Sequence, residues 1–302
     1  MSNKPHSGVI VPMITPLSAD LTIDKVSVGR IMKTFTSSKT SAFIAGTTGE
    51  SASIPQEEKK KLLEYAVENC SEDTKVYISI SGNALRDVIE EGKLYADMGA
   101  DAVVATLPFF YPVSDYQVIR FFEQIADQVQ CPLILYNHPG LVGRSIPLEL
   151  AEILSHHPNI AGLKDSERND DRLDSSITRW KNREDFSFLV GWAARSAEAL
   201  AKGADGIVPS TGNLVPKLYQ DLYIAAISGD NNTAGQLQER TDRIGKVYQE
   251  NRNISESIPA LKLILSLYML CQPYVLPPME MPGPEEQESI KKHINEIISN
   301  LE

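Results

Sequence analysis

Two stretches of the chain, MGADAVVA (98–105) and KGADGIVP (202–209), decide the fold. Each joins the end of a helical pattern to a short apolar run through Gly-Ala-Asp, and the glycine supplies the left-handed conformation that often ends a helix. Outward from these joints, short β-branched runs alternate with longer amphipathic stretches through most of the chain. This alternation predicts parallel strands that are connected by crossover helices.

The number of strand–helix units predicts a closed barrel. Eight strands are predicted, at 9–14, 42–45, 76–80, 102–105, 133–136, 160–164, 186–190 and 206–208. Eight such units are typical of a (β/α)8 barrel. The alternative, an open doubly wound sheet, usually has a glycine-rich dinucleotide loop after its first strand, and residues 12–16 are not such a loop.

The strand patterns stop near residue 228. Beyond it, apolar residues at three- and four-residue spacing predict three helices, at 231–249, 256–270 and 285–298. We therefore expect a barrel over residues 1–228 and a helical C-terminal extension over residues 229–302.

Composition excludes several classes of function. The 302 residues include 29 Lys and Arg against 40 Asp and Glu, a net charge of −11, which disfavours nucleic acid and anionic membrane surfaces as partners. The sequence has no apolar run of the roughly 20 residues that a membrane span needs and no signal-peptide pattern. Three widely separated cysteines suggest neither a zinc site nor a disulfide framework, and we expect a cytoplasmic protein.

Lys164 closes the apolar strand Ile160-Ala161-Gly162-Leu163-Lys164, which is an unusual position for a lysine. Barrel enzymes carry their active sites at the C-terminal ends of the strands. Burial there lowers the pKa of a lysine, and a neutral amine can form a Schiff base with a ketone. The alternative is a structural lysine that pairs with Asp165 or Glu167, and Lys164 alone leaves both interpretations open.

Other strand ends supply polar and aromatic groups. Gly46-Thr47-Thr48-Gly49-Glu50 can direct backbone N–H groups at an anion, or it can be a tight turn. Tyr136, at the end of the neighbouring strand, is either a proton shuttle or a core residue. Ser210 follows the eighth strand, in a second anion loop or at a helix N-cap. His138 precedes a proline and is interpreted as a loop residue.

Three motifs, in this order, resemble the dihydrodipicolinate synthase / N-acetylneuraminate lyase family of pyruvate-dependent class I aldolases. They are Gly46-Thr47-Thr48-Gly49-Glu50, Tyr136-Asn137 with Pro139, and Gly162-Leu163-Lys164-Asp165-Ser166. The resemblance covers nearly the whole chain. It implies a (β/α)8 barrel with a three-helix C-terminal region, and it implies a homotetramer or homodimer in which an aromatic residue from the loop after strand four reaches the neighbouring site.

The resemblance also implies roles for single residues. Lys164 would form the imine with pyruvate or another 2-keto acid, and Tyr136 would move protons. Thr47 and Thr48 would hold the carboxylate of pyruvate, and the backbone of Val208 would line the imine pocket. The further substrate-binding positions in these loops are Gly46, Gly191 and Ser210. The resemblance implies no metal and no cofactor, and the sequence has no HxxxH pair, Walker loop or GxGxxG motif.

Three departures from the family pattern bear on the substrate. Leu141 stands where dihydrodipicolinate synthases usually place an arginine for the carboxylate of the aldehyde. Gly191-Trp192-Ala193-Ala194 lacks the acidic residues with which sialic acid lyases bind sugar hydroxyls. Phe110 stands where the family has a relay tyrosine, so that either the adjacent Tyr111 or a water molecule would have to replace that hydroxyl.

These observations favour a Schiff-base lyase that cleaves or condenses a 2-keto-3-deoxy sugar acid, with pyruvate and an aldehyde as its small-molecule partners. The alternatives are a dihydrodipicolinate synthase, a dehydratase that uses the same imine, and a non-catalytic member of the family. A metal-dependent aldolase on the same fold is disfavoured by the lack of paired His or acidic ligands.

Overall fold

A computed structural model describes residues 4–299 as a closed eight-stranded barrel, which confirms the predicted (β/α)8 fold. Neighbouring strands pair in parallel and in chain order, and the first strand pairs with the eighth to close the barrel. The strands are β1 (Gly8–Pro12), β2 (Ser41–Ile44), β3 (Val76–Ser79), β4 (Ala102–Thr106), β5 (Leu133–Asn137), β6 (Ile160–Asp165), β7 (Ser187–Val190) and β8 (Gly206–Ile207).

Helices follow the strands as predicted, and the chain ends in three further helices. They are α1 (Lys25–Ser37), α2 (Gln56–Glu68), α3 (Leu85–Asp97), α4 (Asp115–Gln128), α5 (Pro139–Val142), α6 (Leu148–Leu154), α7 (Asp170–Trp180), α8 (Ser196–Lys202), α9 (Pro216–Ile227), α10 (Asn231–Gln249), α11 (Ile254–Leu267) and α12 (Pro284–Ser299). The sequence analysis missed α5, a single turn. Across residues 4–299, none of these helices is long and apolar enough to cross a membrane.

Two differences from the predicted helix bounds have local causes. The helix predicted at 256–270 begins earlier, because Asn253 and Glu256 form a capping box at its start. It ends earlier, before Tyr268 and Met269, and Met269 has a positive φ of 55°. The division of the chain into residues 1–228 and 229–302 stays a prediction.

Two layers of apolar side chains form the core. The larger layer lies between the strands and the helices around them. A smaller cluster fills the inside of the barrel and includes Phe43, Tyr77, Tyr136 and Val208. Side chains alternate between the two faces of a strand. One face of each strand therefore packs inside the barrel, and the other packs against the helices. Two residues of the predicted site, Tyr136 and Val208, therefore belong to the inner cluster.

Strand register brings Lys164 beside Tyr136. The two residues pair across β5 and β6, and Lys164 also pairs with Leu189 of β7. Two residues earlier on β6, Gly162 pairs with Ser187, and a Cβ atom on Gly162 would lie 2.6 Å from the Ser187 carbonyl oxygen. The missing side chain at Gly162 therefore allows the close strand contact that fixes the position of Lys164.

A buried ion pair joins the C-terminal helices to the loop after β2. Lys262 of α11 pairs with Glu50, and both side chains are 0% exposed. Lys262 also donates to the Tyr274 carbonyl oxygen at 2.7 Å, and the Leu276 N–H donates to Glu50 at 2.6 Å. Glu50 follows Thr47 and Thr48 closely, so the extension anchors the loop that carries both threonines.

Substitution of Gly162 by alanine tests the close strand contact. The added methyl group would meet the Ser187 carbonyl oxygen at 2.6 Å and Ile134 at 3.2 Å, so β6 and β7 must separate. We expect Gly162→Ala to lower the free energy of unfolding by about 1–3 kcal/mol, as overpacking does. Urea unfolding measures the change. The matched control is Gly235→Ala in α10, where a Cβ meets nothing within 4 Å and should be neutral or stabilising.

Removal of the Lys262 amine should leave the Glu50 carboxylate buried without its cation. We expect Lys262→Met to lower the free energy of unfolding by about 3–5 kcal/mol. The double variant Glu50→Gln, Lys262→Met should recover part of this loss, because the uncompensated charge is gone. The control, Lys202→Met, removes an exposed pair with Asp174 and should cost less than about 1 kcal/mol. Equal losses for Lys262→Met and the double variant, measured by urea unfolding, would contradict the coupling.

Candidate active site

The Lys164 amine lies in an aromatic box at the C-terminal mouth of the barrel. The residue is 5% exposed. Its Nζ atom lies 3.7 Å from the ring centroid of Tyr136 and 4.6 Å from that of Phe43. Aromatic faces of this kind attract a cation, but they provide no carboxylate to pair with it. Phe43, on β2, was not predicted as a site residue.

The two carboxylates that could have paired with Lys164 bind elsewhere. Asp165 accepts a hydrogen bond from Arg172 Nε at 2.7 Å and another from Asn137 at 3.0 Å. Glu167 accepts from Ser145 at 2.6 Å and lies 3.4 Å from Arg172. Neither carboxylate therefore forms an ion pair with Lys164, and the reactive amine stays a prediction.

Burial lowers the pKa of the Lys164 amine, and Tyr136 only partly opposes this effect. Burial lowers the pKa of Lys262 as well, but there the opposing group is a carboxylate, that of Glu50. Since an unprotonated amine is the nucleophile, the absence of a carboxylate partner at Lys164, within residues 4–299, promotes attack on a carbonyl.

The Tyr136 hydroxyl forms a hydrogen bond with this amine. It lies 3.2 Å from the Thr47 hydroxyl and also hydrogen-bonds to Ser166 and Lys164. Burial raises the pKa of the phenol, but the Lys164 charge and these hydrogen bonds outweigh burial, and the net pKa is lowered. A phenol with a lowered pKa, in contact with an amine, can exchange protons with the groups beside that amine.

The loop after β2 is held tightly against the box. A Cβ atom on Gly46 would lie 2.6 Å from the Phe43 ring, so only glycine fits there without displacement of that ring. The next residues, Thr47 and Thr48, line the main cavity of the barrel mouth. Gly46 thus lets Phe43 pack beneath Lys164 while the two threonines face the cavity.

The loops after β7 and β8 complete the wall. A Cβ atom on Gly191 would lie 2.2 Å from the Ser166 hydroxyl oxygen, so Gly191 leaves the space that Ser166 occupies beside Tyr136. Gly191, Val208 and Ser210 all line the cavity. The Ser210 hydroxyl lies 2.7 Å from that of Tyr248 in α10 and caps no helix, so the N-cap interpretation was wrong.

The main cavity measures about 1020 Å³ and extends well beyond Lys164. Its outer wall includes Trp192, Ala193 and the connection between α10 and α11 at residues 249–253. The sequence did not reveal this contribution of the C-terminal extension. His138, which was interpreted as a loop residue, also lines the cavity, and burial lowers its pKa to about 4.

Four of the predicted residues do not line the main cavity: Gly46, whose role is to make room for Phe43, and Phe110, Tyr111 and Leu141. Phe110 and Tyr111 are 72% and 74% exposed, and within residues 4–299 they line neither this cavity nor its smaller neighbour. Within a single chain, Tyr111 therefore does not supply the hydroxyl of the family's relay tyrosine. Leu141 lines the smaller cavity, of about 240 Å³, beside Phe109.

Two residues that contact Tyr136 or Lys164, Ser166 and Phe43, were not predicted, although the sequence gives a weak indication of each. Ser166 lies two positions after Lys164, and Phe43 is one of the inward-facing positions of β2. Only the strand register shows which side chains they contact. A rule that examined both the strand and the first residues after it would have found Ser166.

Known proteins that are similar to this chain include a putative sugar-acid aldolase and a dihydrodipicolinate synthase. The putative 2-dehydro-3-deoxy-D-gluconate aldolase YagE of Escherichia coli K12 is 29% identical over 279 residues, 90% of each chain. Its structure in complex with pyruvate matches with a TM-score of 0.91, 27% identity and coverage of 97% of this chain and 99% of that one. A dihydrodipicolinate synthase from Bacteroides thetaiotaomicron matches with a TM-score of 0.91 and 30% identity, over 97% and 99% of the two chains.

The family comparison confirms the resemblance that the motifs indicated. The match covers residues 5–297, almost the whole chain. The motifs around Thr47, Tyr136 and Lys164 all lie inside it, and the structure brings these three residues together in one cavity. The chain therefore belongs to the dihydrodipicolinate synthetase family, a family of pyruvate-dependent class I lyases.

Proposed function

We propose that the protein is a Schiff-base lyase that cleaves or condenses a 2-keto-3-deoxy sugar acid. One observation carries this proposal: the buried Lys164 amine lies against Tyr136, and the nearby carboxylates are bound to Arg172. A single relative, the putative sugar-acid aldolase YagE, supports both halves of the proposal, because its structure was determined in complex with pyruvate.

Each step of the reaction has a group to perform it. The Lys164 amine attacks the ketone at C2, and the carbonyl oxygen leaves as water to give a protonated imine. Tyr136 donates the proton with which that water leaves and becomes a phenolate. The phenolate then accepts the proton of the C4 hydroxyl, the C3–C4 bond breaks, and its electron pair passes into the imine to form an enamine. C4 leaves as the carbonyl carbon of an aldehyde. Protonation of the enamine at C3 and hydrolysis release pyruvate and restore the amine.

The loop after β2 is suited to the carboxylate of the 2-keto acid. Thr47 and Thr48 line the cavity close to Tyr136, and two hydroxyls with backbone N–H groups can bind an anion without a full positive charge. Val208 and Gly191 provide the opposite wall, where small or backbone groups leave room for the imine.

The alternative functions differ either in the second substrate or in the bond that breaks. Leu141 has no cationic group and lines the smaller cavity, which argues against a dihydrodipicolinate synthase. A dehydratase would use the same imine but would expel a hydroxyl group from the carbon chain instead of breaking the C3–C4 bond. The large cavity suits the longer chain of a sugar acid.

Assembly and location belong to the same proposal. The exposed aromatic side chains of Phe109, Phe110 and Tyr111 support a homodimer or homotetramer in which this loop meets a neighbouring subunit. The three cysteines are unpaired, which supports a reducing, cytoplasmic location.

Borohydride reduction tests the proposed nucleophile. With pyruvate present, we expect irreversible labelling of the wild-type enzyme, and mass spectrometry should place the adduct on Lys164. Lys164→Ala and Lys164→Arg should give no adduct, because neither offers an amine that is unprotonated near neutral pH. Lys202→Ala, which removes an exposed lysine, is the control and should label normally. Undiminished labelling of Lys164→Ala would exclude the mechanism.

A substrate panel tests the proposed reaction once labelling is established. Release of pyruvate from 2-keto-3-deoxy sugar acids supports the lyase, and Tyr136→Phe should slow it by about 10²–10⁴-fold. A strong signal with pyruvate and aspartate semialdehyde would instead identify a dihydrodipicolinate synthase, and loss of water without pyruvate release would identify a dehydratase. A protein that is not labelled at all would be a non-catalytic member of the family.

The lowered pKa of Lys164 predicts the pH dependence of imine formation. Only the neutral amine attacks, so the trapping rate should rise with pH and level off with a midpoint below the ordinary lysine value of 10.5. In Tyr136→Phe the midpoint should move lower still, because Tyr136 is the group that raises the Lys164 pKa. Single-turnover trapping with cyanoborohydride measures both midpoints, and a wild-type midpoint at or above 10.5 would contradict the prediction.

A further inference from the structure

Arg168 is a charged residue of the main cavity to which the reaction above assigns no role. It follows β6, four residues after Lys164, and its exposed side chain lines the same cavity as Lys164 and Trp192. Pyruvate would occupy only the part of this cavity next to Lys164. Arg168 therefore belongs to the region that remains for the aldehyde half of the substrate.

The carboxylates around Arg168 already bind other partners. Asp165 and Glu167 bind Arg172 and its neighbours, as described above. Asp170, two residues further along, binds Arg195 at 2.9 Å. Within residues 4–299, the Arg168 guanidinium forms no hydrogen bond and no ion pair.

Two of the other cations of the cavity have assigned roles or partners. Lys164 is the proposed nucleophile, and Arg252 is held by Glu286 at 2.7 Å. Lys246, on α10, influences the pKa of Asp242 by its charge but forms no ion pair in the described part of the chain. Within residues 4–299, Arg168 and Lys246 are thus the cavity cations without an ion-pair partner, and of the two only Arg168 lies on the loop that follows Lys164.

The charge of Arg168 reaches the neighbouring His138. Burial lowers the pKa of neighbouring His138 to about 4, and the charges of Lys164 and Arg168 add to the lowering. His138 is therefore neutral near pH 7 and can exchange hydrogen bonds with a substrate hydroxyl without competing for an anion. An anionic group beside Arg168 would compensate a charge that the protein leaves uncompensated.

We propose that Arg168 binds a second negatively charged group at the far end of the sugar-acid substrate. This inference rests on the function proposed above and specifies its substrate class: the aldehyde product carries an oxyanion, either a carboxylate or a phosphate ester. A guanidinium forms paired hydrogen bonds with both of these groups. The cation then comes from the loop after β6, whereas position 141, in the smaller cavity that Thr47 and Tyr136 also line, offers only an uncharged leucine.

The test compares charged and neutral aldehydes in condensation with pyruvate. The probes are glyceraldehyde, glyceraldehyde 3-phosphate and tartronate semialdehyde, which are neutral, phosphorylated and carboxylated. We expect the wild-type enzyme to have a higher kcat/KM for at least one of the two anions than for glyceraldehyde, and the better anion identifies the group that Arg168 binds.

Substitution of Arg168 should reduce this preference. In Arg168→Gln the ratio of kcat/KM for the preferred anion to that for glyceraldehyde should fall by about ten- to one-hundredfold, the loss typical of a hydrogen bond to a charged group. In Arg168→Lys the same ratio should fall less, because the positive charge is kept. The control, Arg179→Gln, removes the same charge at the C-terminal end of α7 and should leave the ratio unchanged.

The outcomes separate this inference from the proposed function. Failure of pyruvate trapping would overturn the function itself. Normal trapping with no anion preference, or with an unchanged ratio in Arg168→Gln, would overturn the role of Arg168 and leave the lyase proposal intact. A purely structural role for Arg168 would lower kcat/KM for neutral and charged aldehydes equally, and that result would also contradict the inference.

Discussion

The proposed active site depends on an amine that is buried without a carboxylate partner. Lys164 lies between two aromatic rings at the end of β6, and burial lowers its pKa. Two acidic residues follow it within three positions, and either one as a partner would favour the charged form. Arg172, on the next helix, binds both of them. The chemistry at Lys164 therefore depends on an ion-pair network that does not include Lys164.

The second buried lysine, Lys262, has the carboxylate partner that Lys164 lacks. Lys262 is also removed from solvent, but Glu50 lies against it, and the pair joins α11 to the loop after β2. A buried pair of this kind fixes two segments relative to each other, because separating its members leaves an uncompensated charge. The same fold thus uses one buried lysine to hold a loop and the other as a potential nucleophile, and the difference lies in the partner of each.

The sequence predicted most of the architecture because its signals are local. Strand and helix patterns with their glycine joints determine eight units, and the position of Lys164 and Tyr136 at strand ends follows from the barrel rule. Contacts that depend on strand register or on distant segments of the chain could not be predicted from these local signals. Binding of Asp165 by Arg172 joins a strand to the following helix, and the wall at residues 249–253 comes from a segment about 90 residues after Lys164.

The overall charge of −11 does not decide how an anionic substrate binds. Exposed charges more than about 8–10 Å apart are largely screened at physiological ionic strength, so groups inside the cavity dominate. At the mouth of this barrel, Arg172 and Arg195 bind the carboxylates of the loop after β6, while Thr47 and Thr48 offer uncharged donors. An anion that enters this cavity therefore meets donors and cations at close range, even though the protein as a whole is acidic.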